Sequence, residues 1–314
     1  MYMESIIKVG NGDNPVVKQG TSINNAVEAF LSECDIRANS KNVYRRGLSF
    51  FFRWVESTGR TISNLTRADI IAFKDSLLQS HSNLTIAGYM VALRRFYEWA
   101  EGNKLYPNIA RGIKSPKRKN AYSKEHLREN QIHDLLRYYE SNLRDYAIVN
   151  LLLRTGLRTI EVVRANVEDV TYKSGQRILR VWGKGRDERD AFVVLTDKAY
   201  QPIKDYLESR GNTTLREPLF ISTSNRNLHG RLTTRTISKI CKNGLVAIGL
   251  DGHTYTAHSL RHTTAVMLLK NGTLADVQSV LRHASPATSQ IYTKSIEEEL
   301  RLANPSEMKL DTVF

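Results

Sequence analysis

The stretch Ala257–Ser295 reads AHSLRHTTAVMLLKNGTLADVQSVLRHASPATSQIYTKS, and its punctuation divides it into three consecutive helices. Asn271 and Gly272 close the first, and Thr273 with Asp276 three residues on forms a capping box that opens the second. Ser285 followed by Pro286 caps and starts the third. On the first helix His258, Arg261 and His262 fall at i, i+3 and i+4 and share a face, while Leu260, Thr264, Met267 and Leu268 recur on another. The expectation is one core face and one face free for chemistry. His283 falls at the end of the second helix and Tyr292 on the third, so imidazoles, a guanidinium and a phenol can converge.

Two histidines at i and i+4 also suit zinc. Here Ser259, Leu260 and Arg261 lie between them, which supplies no glutamate for general base work and sets a cation against the metal. No metal is expected. The ordered set H-x-x-R-H, L-x-H and I-Y-T is more specific than its parts. His258-Ser259-Leu260-Arg261-His262, Leu281-Arg282-His283 and Ile291-Tyr292-Thr293 resemble the C-terminal signature of the tyrosine recombinases, the phage integrase family that includes Cre and the Xer proteins.

Working upstream, Thr233–Ile248 and Ala199–Ser209 read as scaffold helices, with Arg231 and Arg235 as phosphate-contact candidates. Between Arg177 and Leu195 the period becomes extended. Ile178–Trp182 and Ala191–Leu195 form a hairpin joined by Gly183-Lys184-Gly185 and a charged turn. The spacing is not that of a P-loop. The G-K-G turn is similar to the family's hairpin with its catalytic lysine, which implies Lys184 for that part, with Arg186 nearby as a DNA contact. Further up, Tyr146–Leu153 is apolar on nearly all sides, as a buried helix requires, and Gly156 ends it. Arg154-Thr155-Gly156-Leu157-Arg158-Thr159-Ile160-Glu161 resembles the family's first arginine motif, placing Arg158 as the catalytic arginine and Glu161 as its acidic companion. Taken without the downstream residues, a structural salt bridge is the preferred reading of that pair.

The first hundred residues contain four helical patterns. Ser22 or Thr21 caps the first, through Ile23, Val27, Phe30 and Leu31; the second spans Ser40–Ser57 and turns Val43, Phe50, Phe51, Trp54 and Val55 inward. Thr66 and Asp69 box the third, with Ile70, Phe73, Leu77 and Leu78 inward. Ser82 or Asn83 opens the fourth, which buries Ile86, Tyr89, Met90, Leu93, Tyr97 and Ala100. Lys41, Arg45, Arg46, Arg94 and Arg95 are left for phosphate contacts rather than base readout. This segment is similar to the family's core-binding domain.

The expected organisation is a loose arm at 1–20, a helical core-binding domain at 21–105, a basic linker at 106–124, a catalytic domain at 125–303 and a tail at 304–314. Pro107 and Pro116 break the linker, and Lys117, Arg118 and Lys119 charge it for DNA. The fold class is multidomain and mainly α: a four-helix, SAM-like N-terminal domain, then a mostly helical mixed α/β domain with a small antiparallel sheet. No further N-terminal domain is expected, which places the resemblance nearest the two-domain, Xer-like or Cre-like members.

Composition points the same way. The 314-residue chain has formal net charge +14, which favours a polyanionic partner. Two distant cysteines give no disulfide framework, and no apolar run suggests a membrane span. A cytoplasmic, nucleoid-associated protein without membrane contact is expected.

The resemblance implies site-specific recombination without cofactor. The catalytic set is Arg158, Lys184, His258, Arg261, His283 and Tyr292, with Glu161 and His262 in support. Tyr292 is the nucleophile, the two arginines present forks of donors to the phosphate, His258 helps take the phenolic proton, His283 hydrogen-bonds the phosphate and Lys184 protonates the leaving 5′ oxygen. The partners implied are double-stranded DNA with an inverted-repeat core site, a homotetramer on two duplexes with a Holliday junction between exchanges, and in some systems a second recombinase or accessory protein. The rivals are a non-catalytic DNA-binding protein on the same scaffold, a type IB topoisomerase-like enzyme and a metal-dependent nuclease. One departure from the family pattern is Arg282, where many relatives carry glycine.

Overall fold

The structure is a computed structural model that describes residues 22–117, 125–182 and 191–282, together with Pro305 and Met308. The chain divides into two units, Met1–Ala121 and Tyr122–Phe314. In the first, the described residues form four α-helices that follow the apolar period, α2 alone starting without a side-chain cap: α1 (Ile23–Glu33), α2 (Ala38–Ser57), α3 (Arg67–Leu77) and α4 (Asn83–Gly102). The Ser22 hydroxyl accepts from the Asn25 N–H at 3.3 Å, and Ser82 accepts from Thr85 at 3.2 Å. Asp69 closes the box at α3 by accepting from the Thr66 N–H at 2.8 Å. Phe51 and Phe73 meet edge to face at 5.1 Å in a core that also buries Phe30, Leu48, Met90 and Tyr97. Gly47 lets α2 lie against α4, since a Cβ there would approach Tyr89 Cα to 3.1 Å.

Two inward expectations fail. Val43 is 47% and Leu78 49% exposed, whereas Leu48 and Phe52 take the core positions. The segment expected as the start of the linker packs on this unit: Ala110 and Ile113 are buried in its core, and Tyr106 donates to the Leu65 carbonyl at 2.9 Å. Arg94 donates to the Ile113 carbonyl at 2.6 Å and Asn83 to that of Lys117 at 2.8 Å. α4 ends at Gly102, yet the chain that follows stays packed on this unit through Ile113.

The second unit runs α5 (Glu129–Tyr139), α6 (Leu143–Thr155), α7 (Thr159–Arg164), β1 (Val170–Lys173), β2 (Gln176–Val181), β3 (Ala191–Val194), α8 (Asp197–Arg210), α9 (Thr234–Ala247), α10 (Ala257–Asn271) and α11 (Leu274–Leu281). The strands form an antiparallel sheet in the order β1-β2-β3, with Val170 opposite Leu179 and Val181 opposite Ala191. The sequence reading anticipated the β2–β3 hairpin but not β1. That strand is four residues long and half exposed, so its pattern is weak. α6 lies in the core with Ile148, Val149, Leu151 and Leu152 all buried. Gly244 sits under Leu135 and Tyr139, where any side chain would collide, so α9 and α5 approach closely.

Candidate active site

The C-terminal ends of α6 and α11 and the starts of α7 and α10 bring Arg158, Glu161, Arg261 and Arg282 together. Gly156 ends α6 in the left-handed conformation at φ 58°. A Cβ there would overlap Leu281 Cδ2, so the position requires glycine for conformation and for space. The chain then turns, and Arg158 caps α7 with φ −77° and ψ 150°. Its main-chain N–H donates to Glu161 Oε2 at 2.7 Å, and its Nη1 donates to Oε1 at 3.0 Å. Glu161 is the third residue of α7, where a carboxylate faces the unsatisfied N–H groups of the helix start. Glu161 is only 4% exposed, while the Arg158 side chain keeps 26%.

Arg261 rises from α10 into the same corner. It donates to the Gly156 carbonyl through Nη1 and to the Leu281 carbonyl through Nη2 at 2.7 Å. One guanidinium thus ties the turn before Arg158 to the end of α11. Next to Leu281 stands Arg282, whose Nη2 donates to Glu161 Oε2 at 2.9 Å. Burial pulls the Arg282 guanidinium below its ordinary pKa, with Glu161 pulling the other way and the neighbouring charge of Arg158 adding to the depression. Arginine's intrinsic basicity still keeps it cationic at neutral pH.

The two-faced reading of α10 needs correction. His258 is exposed in the first turn, its N–H donating to Thr256 Oγ1 at 3.3 Å. Arg261 and His262, however, are 2% and 1% exposed, and Thr263, Thr264, Ala265 and Val266 are buried with them. The helix is central, and main-chain partners absorb Arg261, Thr263 and Thr264. Thr263 Oγ1 accepts from the Leu127 N–H at 2.9 Å, and Thr264 Oγ1 donates to the Leu153 carbonyl at 2.8 Å. His262 stands edge-on to His126 at 5.7 Å. Burial pushes its pKa down to about 3, with His126 and His258 adding to the effect, so its imidazole is neutral.

Lys184, Arg186, His283 and Tyr292 lie outside the described residues, as do Arg118 and Lys119. Among the phosphate-contact candidates, Arg46 and Arg235 are exposed, and Lys117 is exposed beside Asn83. Arg95 is 65% exposed beside Glu98. Arg45 makes a two-pronged pair with Glu28 at 2.9 and 2.8 Å, and Lys41 donates to the Ser32 carbonyl at 3.4 Å. Arg94 braces the 113–115 segment. Arg231 braces the second unit, donating to the carbonyls of Val163 at 2.7 Å and Ala165 at 3.2 Å and to Asn166 Oδ1 at 2.6 Å. Among the described residues no group of three or more His, Cys, Asp or Glu has the geometry to hold a metal ion.

Sequence reasoning missed the part played by Arg282, which registered only as a departure from the family pattern. The available signal was its place one residue past the end of a capped helix, where the left-handed conformation favours glycine.

Residues 125–299 match the Phage integrase family, and residues 27–104 match the Phage integrase N-terminal SAM-like domain. The chain is 30% identical over 288 residues to the tyrosine recombinase XerD of Proteus mirabilis, covering 88% of this chain and 90% of that one. It is 31% identical over 287 residues to XerD of Listeria innocua, covering 86% and 94%. Among solved structures, the XerH site-specific recombinase bound to palindromic difH substrate, a post-cleavage complex, shares the fold at TM-score 0.69 and 20% identity over 91% of this chain and 85% of that one. A lambda integrase tetramer bound to a Holliday junction does so at TM-score 0.67 and 16% identity over 90% and 78%. With three guanidiniums and a buried glutamate gathered at one corner of this fold, the chain belongs to the phage integrase family of tyrosine recombinases.

Proposed function

We propose that this protein is a site-specific recombinase that cleaves and rejoins DNA with Tyr292 as nucleophile. The observation that supports it most is the corner where Arg158, Glu161, Arg261 and Arg282 meet, with His258 exposed at the start of the helix that carries Arg261. Cleavage of a phosphodiester without a metal needs a nucleophile, donors for the charge that builds on the phosphoryl oxygens, and an acid for the leaving group. A planar guanidinium suits those oxygens better than an ammonium does. Arg158 would present its partly exposed fork to the phosphate, and the Gly156 and Leu281 carbonyls fix the plane of Arg261 beside it.

Tyr292 Oη attacks phosphorus and passes its proton to His258. The bond to the 5′ oxygen breaks, and Lys184 protonates that oxygen while His283 hydrogen-bonds the phosphate. One ester replaces another, so a 5′ hydroxyl from a second cleaved duplex reverses the step without ATP. Four such sites on two duplexes, paired at inverted repeats, give exchange through a Holliday junction, with a second recombinase or accessory factor joining where the site requires it. A cytoplasmic, nucleoid-bound protein fits that substrate.

The test uses labelled duplexes from the flanks of its own gene, nicked beside inverted repeats so that the short 5′ fragment diffuses away. A protease-sensitive, slow-migrating adduct on a denaturing gel is expected from the wild-type protein and none from Tyr292→Phe, which should still bind DNA. An adduct that persists in Tyr292→Phe would overturn the assignment of the nucleophile.

A further inference from the structure

Glu161 is one carboxylate between two guanidiniums: Oε1 accepts from Arg158 Nη1 at 3.0 Å, and Oε2 accepts from Arg282 Nη2 at 2.9 Å. The group is 4% exposed, and a buried carboxylate stripped of its cation is costly. With Arg158 as sole partner, Glu161 would hold that guanidinium in place, because any turn of Arg158 towards another anion would strand the charge. Arg282 removes the constraint. Whichever way Arg158 points, Oε2 keeps a cation within hydrogen-bonding distance.

The backbone supplies an independent observation. Arg282 ends α11 with φ 53° and ψ 49°, a left-handed conformation that disfavours any residue with a Cβ. Glycine would cap this helix without strain. The arginine is held there by its side chain, through Glu161 and through Nη1 to the Val280 carbonyl at 2.8 Å, so the side chain contributes something the cap does not need.

We propose that Arg282 is a positioning residue for recombination: a standing counter-ion to Glu161 that frees Arg158 to leave the carboxylate and turn to the scissile phosphate. The role rests on the recombinase reading, and two measurements separate the two. The first needs no DNA. Thermal melting of Arg158→Ala should show a small loss in the wild-type background and a loss about 5 °C larger in Arg282→Gly, where Glu161 has no cation left. Adding Glu161→Gln should erase the difference. Equal losses in both backgrounds would overturn the proposal whether or not the protein cuts DNA.

The second measurement is the rate of adduct formation on the nicked duplex. Arg282→Gly should slow it roughly tenfold or more, and Arg282→Lys should recover part of the loss. Glu161→Gln placed on Arg282→Gly should also recover activity, since a neutral amide no longer detains Arg158. A merely structural Arg282 predicts the opposite: glycine relieves the strained backbone, cleavage holds at the wild-type rate, and Glu161→Gln adds its own loss. That pattern would sink the proposal. Failure of the wild-type protein to form any adduct would count against the recombinase reading, and the melting cycle would still decide whether Arg282 is the counter-ion.

Discussion

At the scale of single residues, the corner is built from main-chain atoms as much as from side chains. Gly156 is the clearest case, being left-handed, pressed on Leu281 and the acceptor for Arg261. Gly156→Ala should destabilise the protein by about 2–4 kcal/mol, from backbone strain plus overpacking, as measured by urea unfolding. Loss of adduct formation should accompany it even where the variant remains folded, since Arg261 loses its seat. His262 makes a second residue-scale prediction. Its pKa is pushed down to about 3 in the folded protein, while an unfolded imidazole titrates near 6.5. The unfolded chain therefore takes up the proton first as pH falls. Stability is fully present above about pH 6.5 and declines below it by up to about 1.4 kcal/mol per pH unit towards pH 3. His262→Gln should flatten that part of the stability profile, and an unchanged slope would show that other groups carry it.

At the scale of elements, capping residues are legible in the sequence because they act within one turn. Thr273 and Asp276 box α11 at 2.7 Å, as Thr66 and Asp69 box α3. Arg231 belongs at this scale too. Its charge alone sets it among phosphate contacts, yet its guanidinium knits the 163–166 segment to the chain before α9. Arg231→Ala should cost about 2–3 kcal/mol in thermal or denaturant unfolding, because three buried or half-buried acceptors lose their donor. A residue that served DNA alone would leave stability unchanged. The same distinction applies to Arg94, whose donors are taken by Ile113 and Ser115.

For the whole molecule, charge dominates. A chain with formal net charge +14 and exposed Arg46, Arg95 and Arg235 should bind DNA with an affinity that falls steeply with salt. Replacing any of these three by alanine should reduce the slope of log K against log salt by about one for each phosphate left unneutralised, with little change in sequence preference. Binding assays at several salt concentrations measure this. An unchanged slope would assign that residue to solvent. Each unit has its own core, one rich in aromatics and one built around α6 and α10, and no described helix is long and apolar enough to cross a membrane.

By itself, the sequence determined the helical class, the caps of α1, α3, α4 and α11, the β2–β3 hairpin and the family, because these depend on local periodicity and on ordered motifs. It placed His258 and Arg261 on the right helix, set Arg158 at the turn after α6 and named Gly156 as a helix end, but it did not anticipate α7, which carries Glu161. Only the tertiary structure decided which polar groups face inward. α10 carries a polar face by its spacing, yet long-range partners at 156 and 281 draw Arg261 of that face inward, and no helical period encodes such partners. Tertiary packing likewise drew 106–113 into the first core and gave Arg282 its partner 121 residues away in Glu161. A buried charge takes its counter-ion from whatever the fold brings near, and that choice is made in space rather than along the chain.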